Sequence, residues 1–249
     1  MNILITGASA GIGQASAVHL AQKGHKILMV SRNTAKLKKI CEAHPEVALS
    51  FSACDLRNKD SINSLLKNEA NFFKDIDCLV NNAGLALGKE KFQNNSWDDI
   101  ECMIDTNVKG LMYLTQKILP FMISNEKGQI INLGSIAGHT GYSGGTVYCA
   151  TKAAIHMMTE ALRHDLGGTN IRVSTIAPGR VETDFSLIRF KGDKEAADKV
   201  YQGYRPLSAL DLAETITWIA ERPAHVNIQH LMIMGTDQPN CTTISPWGQ

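Results

Sequence analysis

The sequence predicts one α/β domain built on a doubly wound parallel sheet, with helices on both faces of the sheet. Short apolar runs alternate with longer segments of helical periodicity along almost the whole chain. A glycine-rich turn follows the first of these runs. The 249 residues contain no internal repeat and no Pro/Ser-rich linker, and this length suits a single large domain spanning residues 1–249.

Seven apolar runs are predicted to form the strands of this sheet. They are Ile3–Thr6, Lys26–Val30, Ala48–Ala53, Cys78–Asn81, Gln129–Leu133, Arg172–Ala177 and Leu231–Met234. Between them, apolar residues recur at i, i+3, i+4 spacing, as in the segments that begin at Ile12 and at Leu111. Strands that alternate with helices form βαβ units, and such units give a parallel sheet covered on both faces.

Residues 183–210 depart from this alternation. The segment lies between the sixth and seventh predicted strands and mixes aromatic residues, such as Phe185 and Phe190, with lysines, arginines and glycines. A long excursion of this kind is more typical of a mobile lid over a site than of a simple connection. We therefore expect a substrate lid at 183–210.

Composition argues against several classes of protein. Lys and Arg number 25 against 24 Asp and Glu, so a net charge of +1 provides no overall field to attract nucleic acid or anionic lipid. No apolar run approaches the ~20 residues that span a bilayer, and the first residues predict a strand rather than a secretory signal. The six cysteines form no C-x-x-C pair and no cluster at zinc spacing. We expect a cytoplasmic protein with reduced thiols and with no metal, nucleic-acid or membrane partner.

The glycine-rich turn joins the first predicted strand to a helix through Thr6-Gly7-Ala8-Ser9-Ala10-Gly11-Ile12-Gly13. Glycines let the backbone approach a pyrophosphate, and the following helix N-terminus presents free N–H groups. A tight turn without a ligand would show the same pattern. Because the turn opens a chain of βα units, a dinucleotide site of the Rossmann type is favoured. Its expected cofactor contacts are Gly7, Ser9, Gly11, Ile12 and Gly13.

The end of the second predicted strand bears on which dinucleotide binds. This strand runs into Ser31-Arg32-Asn33, with no carboxylate to accept the ribose 2′-hydroxyl of NAD. Arg32 offers a planar fork suited to a 2′-phosphate, so NADP is favoured, although a lone arginine can also be a solvated surface residue. After the third strand, Asp55-Leu56 is placed to contact the adenine, or Asp55 could cap the helix that begins near Lys59.

A serine, a tyrosine and a lysine are candidates for acid/base chemistry. Ser135 follows the fifth predicted strand, at the sheet edge where open α/β proteins bind ligands. Tyr148 and Lys152 stand four residues apart, so on a helix they share a face, and the ammonium is expected to lower the pKa of the phenol. Ser135 could then hydrogen-bond a substrate carbonyl while Tyr148 supplies the proton. An exposed helical pair without chemistry would show the same spacing.

Over essentially its whole length the chain resembles the short-chain dehydrogenase/reductase family. Asn81-Asn82-Ala83-Gly84 resembles the motif that steadies the central sheet, and Asn107 matches an asparagine thought to hold a proton-relay water against the lysine. Pro178-Gly179 followed by Val181-Glu182-Thr183 resembles the segment that contacts the nicotinamide. The resemblance implies a Rossmann-type sheet and the catalytic residues Asn107, Ser135, Tyr148 and Lys152. It also implies cofactor contacts by Asn81, Gly84, Tyr148, Lys152, Pro178, Gly179, Val181 and Thr183.

Within the family, the runs 82–88, 103–107, 185–186 with 189–193, and 223–228 resemble the NADP-dependent 3-hydroxy acid dehydrogenases, which act on serine, allo-threonine, and 3-hydroxypropionate or malonic semialdehyde. Arg180 departs from this pattern, because an apolar residue is expected there. A carboxylate substrate needs a cation, and Arg180, Arg189 and Lys191 lie in or beside the predicted lid. Each could instead be a solvated surface charge, Lys191 most readily.

The function expected is reversible oxidation of a small 3-hydroxy acid to its 3-oxo acid with NADP. Ser135, Tyr148, Arg180 and Arg189 are the expected substrate contacts. Two alternatives remain: reduction of carrier-bound 3-oxoacyl groups, sugars or diketones by the same chemistry, or a non-catalytic dinucleotide-binding protein on the same fold. Because members of the family are commonly tetramers, the resemblance also implies a homotetramer.

Overall fold

The computed structural model describes residues 1–246, and its centre is a seven-stranded sheet in which every pairing is parallel. The strands of this sheet are β1 (Asn2–Thr6), β2 (Lys26–Ser31), β3 (Leu49–Ala53), β4 (Cys78–Asn81), β5 (Gly128–Leu133), β6 (Ile171–Pro178) and β9 (His230–Ile233). All seven predicted strands are confirmed, each to within one residue at either end. Two further short strands, β7 (Val181–Glu182) and β8 (Leu207–Ser208), form a separate parallel pair.

Helices connect the strands and cover the sheet. They are α1 (Gly11–Gln22), α2 (Thr34–Ala43), α3 (Lys59–Asn68), α4 (Ala70–Lys74), α5 (Trp97–Ile104), α6 (Leu111–Ser124), α7 (Thr146–Asp165), α8 (Phe185–Arg189), α9 (Lys194–Lys199) and α10 (Ala209–Ala220). A π-helical turn, Asp105–Gly110, joins α5 to α6, and single 3₁₀ turns occupy Phe92–Asn94 and Ile136–Gly138. The predicted doubly wound fold is thus confirmed.

In the strand order β3-β2-β1-β4-β5-β6-β9, the chain adds β2 and β3 on one side of β1 and then adds β4 and the later strands on the other side. Chain connections leave to opposite sides at such a point, which opens a crevice at the carboxyl ends of the strands. Successive side chains of β1 point to opposite faces of the sheet and pack into two separate hydrophobic cores. Ile3 and Ile5 belong to the core under α1 and α10, and Leu4 belongs to the core under α4 and α6. Both faces of the sheet are therefore buried.

The predicted lid has its own secondary structure. Residues 183–210 contain α8 and α9, and the last four of them form β8 and begin α10. Ser208 and Asp211 form a capping box that fixes the start of α10. The C-terminal end of the segment therefore belongs to β8 and α10, and the rest of its secondary structure is the α8–α9 pair.

Candidate active site

A cleft of about 840 Å³ opens at the carboxyl edge of the sheet, where the turns after β1, β2, β3, β4, β5 and β6 meet. Most of the predicted site residues line it. They are Gly7, Ser9, Gly11, Ile12, Arg32, Asp55, Leu56, Gly84, Ser135, Tyr148, Lys152, Pro178, Gly179, Arg180, Val181, Thr183 and Arg189. Four predicted residues do not line it: Gly13, Asn81, Asn107 and Lys191.

The glycine turn is held against the end of β4. Gly7 and Gly11 adopt positive φ values of 65° and 54°, which L side chains rarely accept. A Cβ on Gly13 would lie 2.5 Å from the Gly7 carbonyl oxygen, so Gly13 allows close packing of the turn instead of lining the cleft. The Asn82 amide nitrogen donates to the carbonyl oxygens of Thr6 (2.9 Å) and Gly7 (3.2 Å). These contacts give the turn a fixed shape suited to phosphate binding.

Asn81 was expected to contact the cofactor, but its side chain is buried within the sheet, away from the cleft. Its amide nitrogen donates to Thr115 Oγ1 (3.0 Å) and to Asn132 Oδ1 (2.8 Å), and the Asn132 amide nitrogen donates to Thr159 Oγ1 (2.9 Å). The chain of bonds connects β4, α6, β5 and α7. Asn81 therefore steadies the scaffold, as the motif resemblance implied, and Asn82 takes the position beside the cleft.

Arg32 and Asp55 lie at the end of the cleft next to β2 and β3. Arg32 is exposed and has no hydrogen-bond or ion-pair partner within residues 1–246. Asp55 accepts hydrogen bonds from the Arg57 side chain, with Nη2 at 2.7 Å, and these bonds lower the pKa of Asp55. Asn58 caps α3, so the alternative in which Asp55 caps that helix is wrong. The cleft thus has one uncommitted cation at this end.

Tyr148 and Lys152 project from one face of α7, as predicted. The Lys152 ammonium lies 5.8 Å from the centroid of the Tyr148 ring and donates to the Leu133 carbonyl at 2.7 Å. Burial lowers the pKa of Lys152 to about 8. Ser135 lies beside Tyr148, and its hydroxyl accepts from the Ala137 N–H at 3.1 Å.

The prediction that Lys152 lowers the pKa of Tyr148 is wrong. Burial raises the pKa of the Tyr148 hydroxyl, opposed only in part by hydrogen bonding with Ser135 and by the charge of Arg189. Lys152 directs its ammonium to the Leu133 carbonyl, not to the phenol oxygen. The phenol is consequently held in its protonated form.

Asn107 sits in the π-helical turn between α5 and α6, a feature that often marks a functional site. Its amide nitrogen donates to the Leu85 carbonyl (2.8 Å) and to Thr151 Oγ1 (3.1 Å), and its Oδ1 accepts from the Leu85 N–H (2.9 Å). A Cβ on Gly84 would lie 3.4 Å from both Asn107 Oδ1 and Lys152 Nζ. Asn107 therefore lies close to the lysine but behind the cleft wall, with its side chain fully engaged.

The three cations expected to bind a carboxylate have different environments. Arg189 in α8 donates to the carbonyls of Gly88 (3.1 Å) and Gly144 (3.1 Å) and to the Tyr142 hydroxyl (2.8 Å). Its guanidinium lies 6.0 Å from the centroid of the Tyr148 ring. All of these partners are neutral, so its charge is not balanced by them.

Arg180 also lines the cleft and donates to the Val200 carbonyl at 3.4 Å, with its guanidinium 5.8 Å from the centroid of the Tyr204 ring. Lys191, in contrast, is exposed outside the cleft and forms an ion pair with Asp99 at 2.7 Å. Of the three, the two arginines face the candidate site, and Lys191 is a surface charge.

Several cleft residues were missed by the sequence reasoning. Tyr142 precedes α7, and the glycine-rich loop around it was a signal that could have found it. The Phe185 ring lies 5.6 Å from that of Tyr148. Gln238 and Cys241 come from the segment after β9, and Gln238 Oε1 accepts from the Arg180 N–H at 2.8 Å. No sequence pattern marks these last two.

The described residues carry neither a membrane-spanning nor a metal-binding feature. Within residues 1–246 no helix combines the length and the apolar character needed to cross a membrane. The same residues contain no group of three or more His, Cys, Asp or Glu placed to hold a metal ion.

Comparison with known proteins gives consistent results. A family model for the short chain dehydrogenases matches residues 1–192. The chain is 44% identical over 239 residues to an NADP-dependent 3-hydroxy acid dehydrogenase of Salmonella typhi, with 96% of each chain covered. It is 41% identical over 236 residues to a serine 3-dehydrogenase of Agrobacterium fabrum, covering 95% of this chain and 94% of the relative.

Solved structures with the same fold include close relatives. The closed form of a serine dehydrogenase complexed with NADP⁺ superimposes with a TM-score of 0.92 at 43% identity, and the match covers 95% of both chains. A serine dehydrogenase from Escherichia coli gives a TM-score of 0.83 at 39% identity, over 95% of this chain and 98% of the other.

Proposed function

Because the chain belongs to the short-chain dehydrogenase family, we propose that it is an NADP-dependent oxidoreductase that interconverts a small 3-hydroxy acid and its 3-oxo acid. The observation that carries this proposal is the convergence of Ser135, Tyr148 and Lys152 in one cleft with the glycine turn and Arg32. A binding protein has no evident need for an acid/base group beside the cofactor turn. The names of the relatives point to the same substrate class.

The residues of the cleft fit a phosphorylated dinucleotide. The turn from Gly7 to Gly13 presents the N-terminus of α1, and a Cβ on Gly11 would lie 3.2 Å from the Thr183 side chain, which lines the same cleft, so a glycine keeps this part of the cleft open. Arg32 has the charge and the freedom to pair with a 2′-phosphate. When bound, the nicotinamide of NADP supplies the acceptor or donor of the hydride.

Proton transfer falls to Tyr148. In reduction its hydroxyl gives a proton to the carbonyl oxygen of the substrate and becomes a phenolate, and in oxidation the phenolate, formed by prior loss of the proton to solvent, takes the proton of the alcohol. Ser135 is placed to hydrogen-bond the same oxygen. Lys152 is buried beside the ring, where its ammonium donates to the carbonyl of Leu133, two residues before Ser135, and burial lowers its pKa to about 8.

Arg189 is proposed to bind the substrate carboxylate. It combines a guanidinium near Tyr148 with hydrogen bonds to neutral groups only, so a carboxylate would supply the missing counter-charge. Arg180 also lines the cleft and is the second candidate. Because Arg189 belongs to α8 and already bonds to Gly88 and Gly144, a bound carboxylate would hold this helix of the lid over the cleft and exclude water.

The test is a panel of hydroxy acids. Purified protein with NADP and L-serine, L-allo-threonine or 3-hydroxyisobutyrate should produce reduced cofactor, followed by its near-ultraviolet absorbance. L-lactate serves as a control, because its hydroxyl is one carbon closer to the carboxylate. No reduction with any 3-hydroxy acid would contradict the substrate class. Activity on carrier-bound 3-oxoacyl groups in their place would favour the alternative reductase.

The assembly proposed is a homotetramer. Members of the family are commonly tetramers, and the exposed side chains of Trp97 (67%) on α5 and Met157 (65%) on α7 are candidates for the subunit contact. Light scattering coupled to size exclusion should give four times the 27.2 kDa of one chain. All six cysteines are free thiols, which suits the reducing cytoplasm proposed as its location.

A further inference from the structure

The catalytic face of α7 continues one turn beyond Tyr148 and Lys152, to His156. The three residues are spaced four apart and therefore form one stripe along the helix. Lys152 donates to the Leu133 carbonyl at 2.7 Å, and His156 Nε2 accepts from the Ser135 N–H at 3.3 Å. Two successive turns of α7 thus hold the main chain that leads into the candidate catalytic serine.

The His156 ring occupies a narrow space between Gly134 and Gly138. A Cβ on Gly134 would collide with His156 Nε2, and a Cβ on Gly138 would lie 2.6 Å from His156 Cε1. The ring therefore fits only because the residues on both sides of the Ser135 turn lack side chains. This close fit leaves the ring little freedom to move away from the Ser135 main chain.

The groups around His156 favour its neutral form. An Nε2 that accepts a hydrogen bond requires the proton of the ring to be on Nδ1. The His139 and His230 rings lie 4.3 and 5.4 Å from it between centroids, and Lys152 is on the adjacent turn. Burial, together with these three groups, lowers the pKa of His156 to about 4. The acceptor is consequently available throughout the neutral pH range.

We propose that His156 is a positioning residue for the reaction, which holds the Ser135 main chain against α7 so that the Ser135 hydroxyl faces Tyr148 on the same helix. This inference rests on the proposed function and extends it. His156 touches neither cofactor nor substrate, because it does not line the cleft. Its effect on turnover must pass through Ser135.

A double-mutant cycle tests this coupling. His156→Leu should lower kcat about tenfold, or about 1.4 kcal/mol in the activation free energy, and should leave the KM for NADP within about twofold. His156→Gln, which can present an amide oxygen to the same N–H, should recover most of the loss. In a Ser135→Ala background, His156→Leu should cost less than about twofold. His164→Leu, on an exposed part of the same helix, is the matched control and should leave kcat unchanged.

A second measurement uses the unmodified protein and does not depend on the folding of variants. ¹⁵N NMR of the histidine rings should show His156 as the Nδ1–H tautomer, with no titration between about pH 5 and 8. An Nε2–H tautomer, or losses that add in the cycle, would overturn the positioning role and leave the proposed function intact. Turnover that survives Ser135→Ala undiminished would instead contradict the proposed function.

Discussion

Replacing Arg32 with Gln should remove the preference for NADP over NAD. Arg32 has no partner within residues 1–246, so nothing must be broken before it binds a phosphate, and its loss leaves no other group unpaired. A hydrogen bond to a charged group contributes about 1.5–3 kcal/mol, and exposure to solvent places Arg32 at the lower end of that range. The expected loss in NADPH affinity is therefore about tenfold, since ~1.4 kcal/mol corresponds to one decade.

The assay is a fluorescence titration of Arg32→Gln with NADPH and with NADH. The Kd for NADPH should rise about tenfold, and that for NADH should stay within about twofold, because the ribose hydroxyl requires no cation. Lys39→Gln removes the same charge from an exposed position of α2 and is the matched control. An unchanged Kd for NADPH, or equal weakening of both cofactors, would refute the role of Arg32.

Three further changes test the turn, the lid and the scaffold. Gly13→Ala places a Cβ 2.5 Å from a backbone oxygen. This change should lower the free energy of unfolding by about 1–3 kcal/mol, measured by thermal unfolding, and should weaken NADPH binding. Gly141→Ala is the control and should have neither effect, because its Cβ would meet nothing within 4 Å. Arg189→Met should raise the KM for the hydroxy acid about tenfold or more, and a KM unchanged in steady-state kinetics would remove it from the substrate site. Burial alone would raise the pKa of Asp77, but Lys127 and a backbone N–H outweigh it, and the net shift is downward. Above the ordinary carboxyl pKa of 3.8, the wild type should be more stable to unfolding than Asp77→Asn. This difference should be lost as the pH falls through the lower pKa of Asp77 in the folded protein, which calorimetry in the acid range can follow.

The strands and the placement of Ser135, Tyr148 and Lys152 in one cleft could be predicted from sequence because each leaves a local pattern. A buried parallel strand is an apolar run of a few residues, and Tyr148 and Lys152 fall at helical spacing. Ser135 was identified by its place after such a run. These features depend on neighbours along the chain, and the structure keeps them in the expected places.

Features that depend on contacts across the fold were not predictable. Asn81 belongs to a motif expected to steady the sheet and was also expected to contact the cofactor, but the direction of its side chain is decided by Thr115 and Asn132 on other elements. The pKa of Tyr148 follows burial, which sequence spacing does not report. Gln238 reaches the cleft only because the segment after β9 folds back to the Arg180 backbone.

The effect of replacing Tyr148 with Phe tests the central claim most directly, because this change removes only the hydroxyl that is proposed to transfer the proton. With NADP and a 3-hydroxy acid that the unmodified protein oxidises, Tyr148→Phe should lower kcat by about 10²- to 10⁴-fold. The Kd for NADPH should stay within about twofold, showing that the cleft is intact. Turnover close to that of the unmodified protein, with the cofactor still bound, would contradict the assignment of Tyr148 as the acid/base of this enzyme.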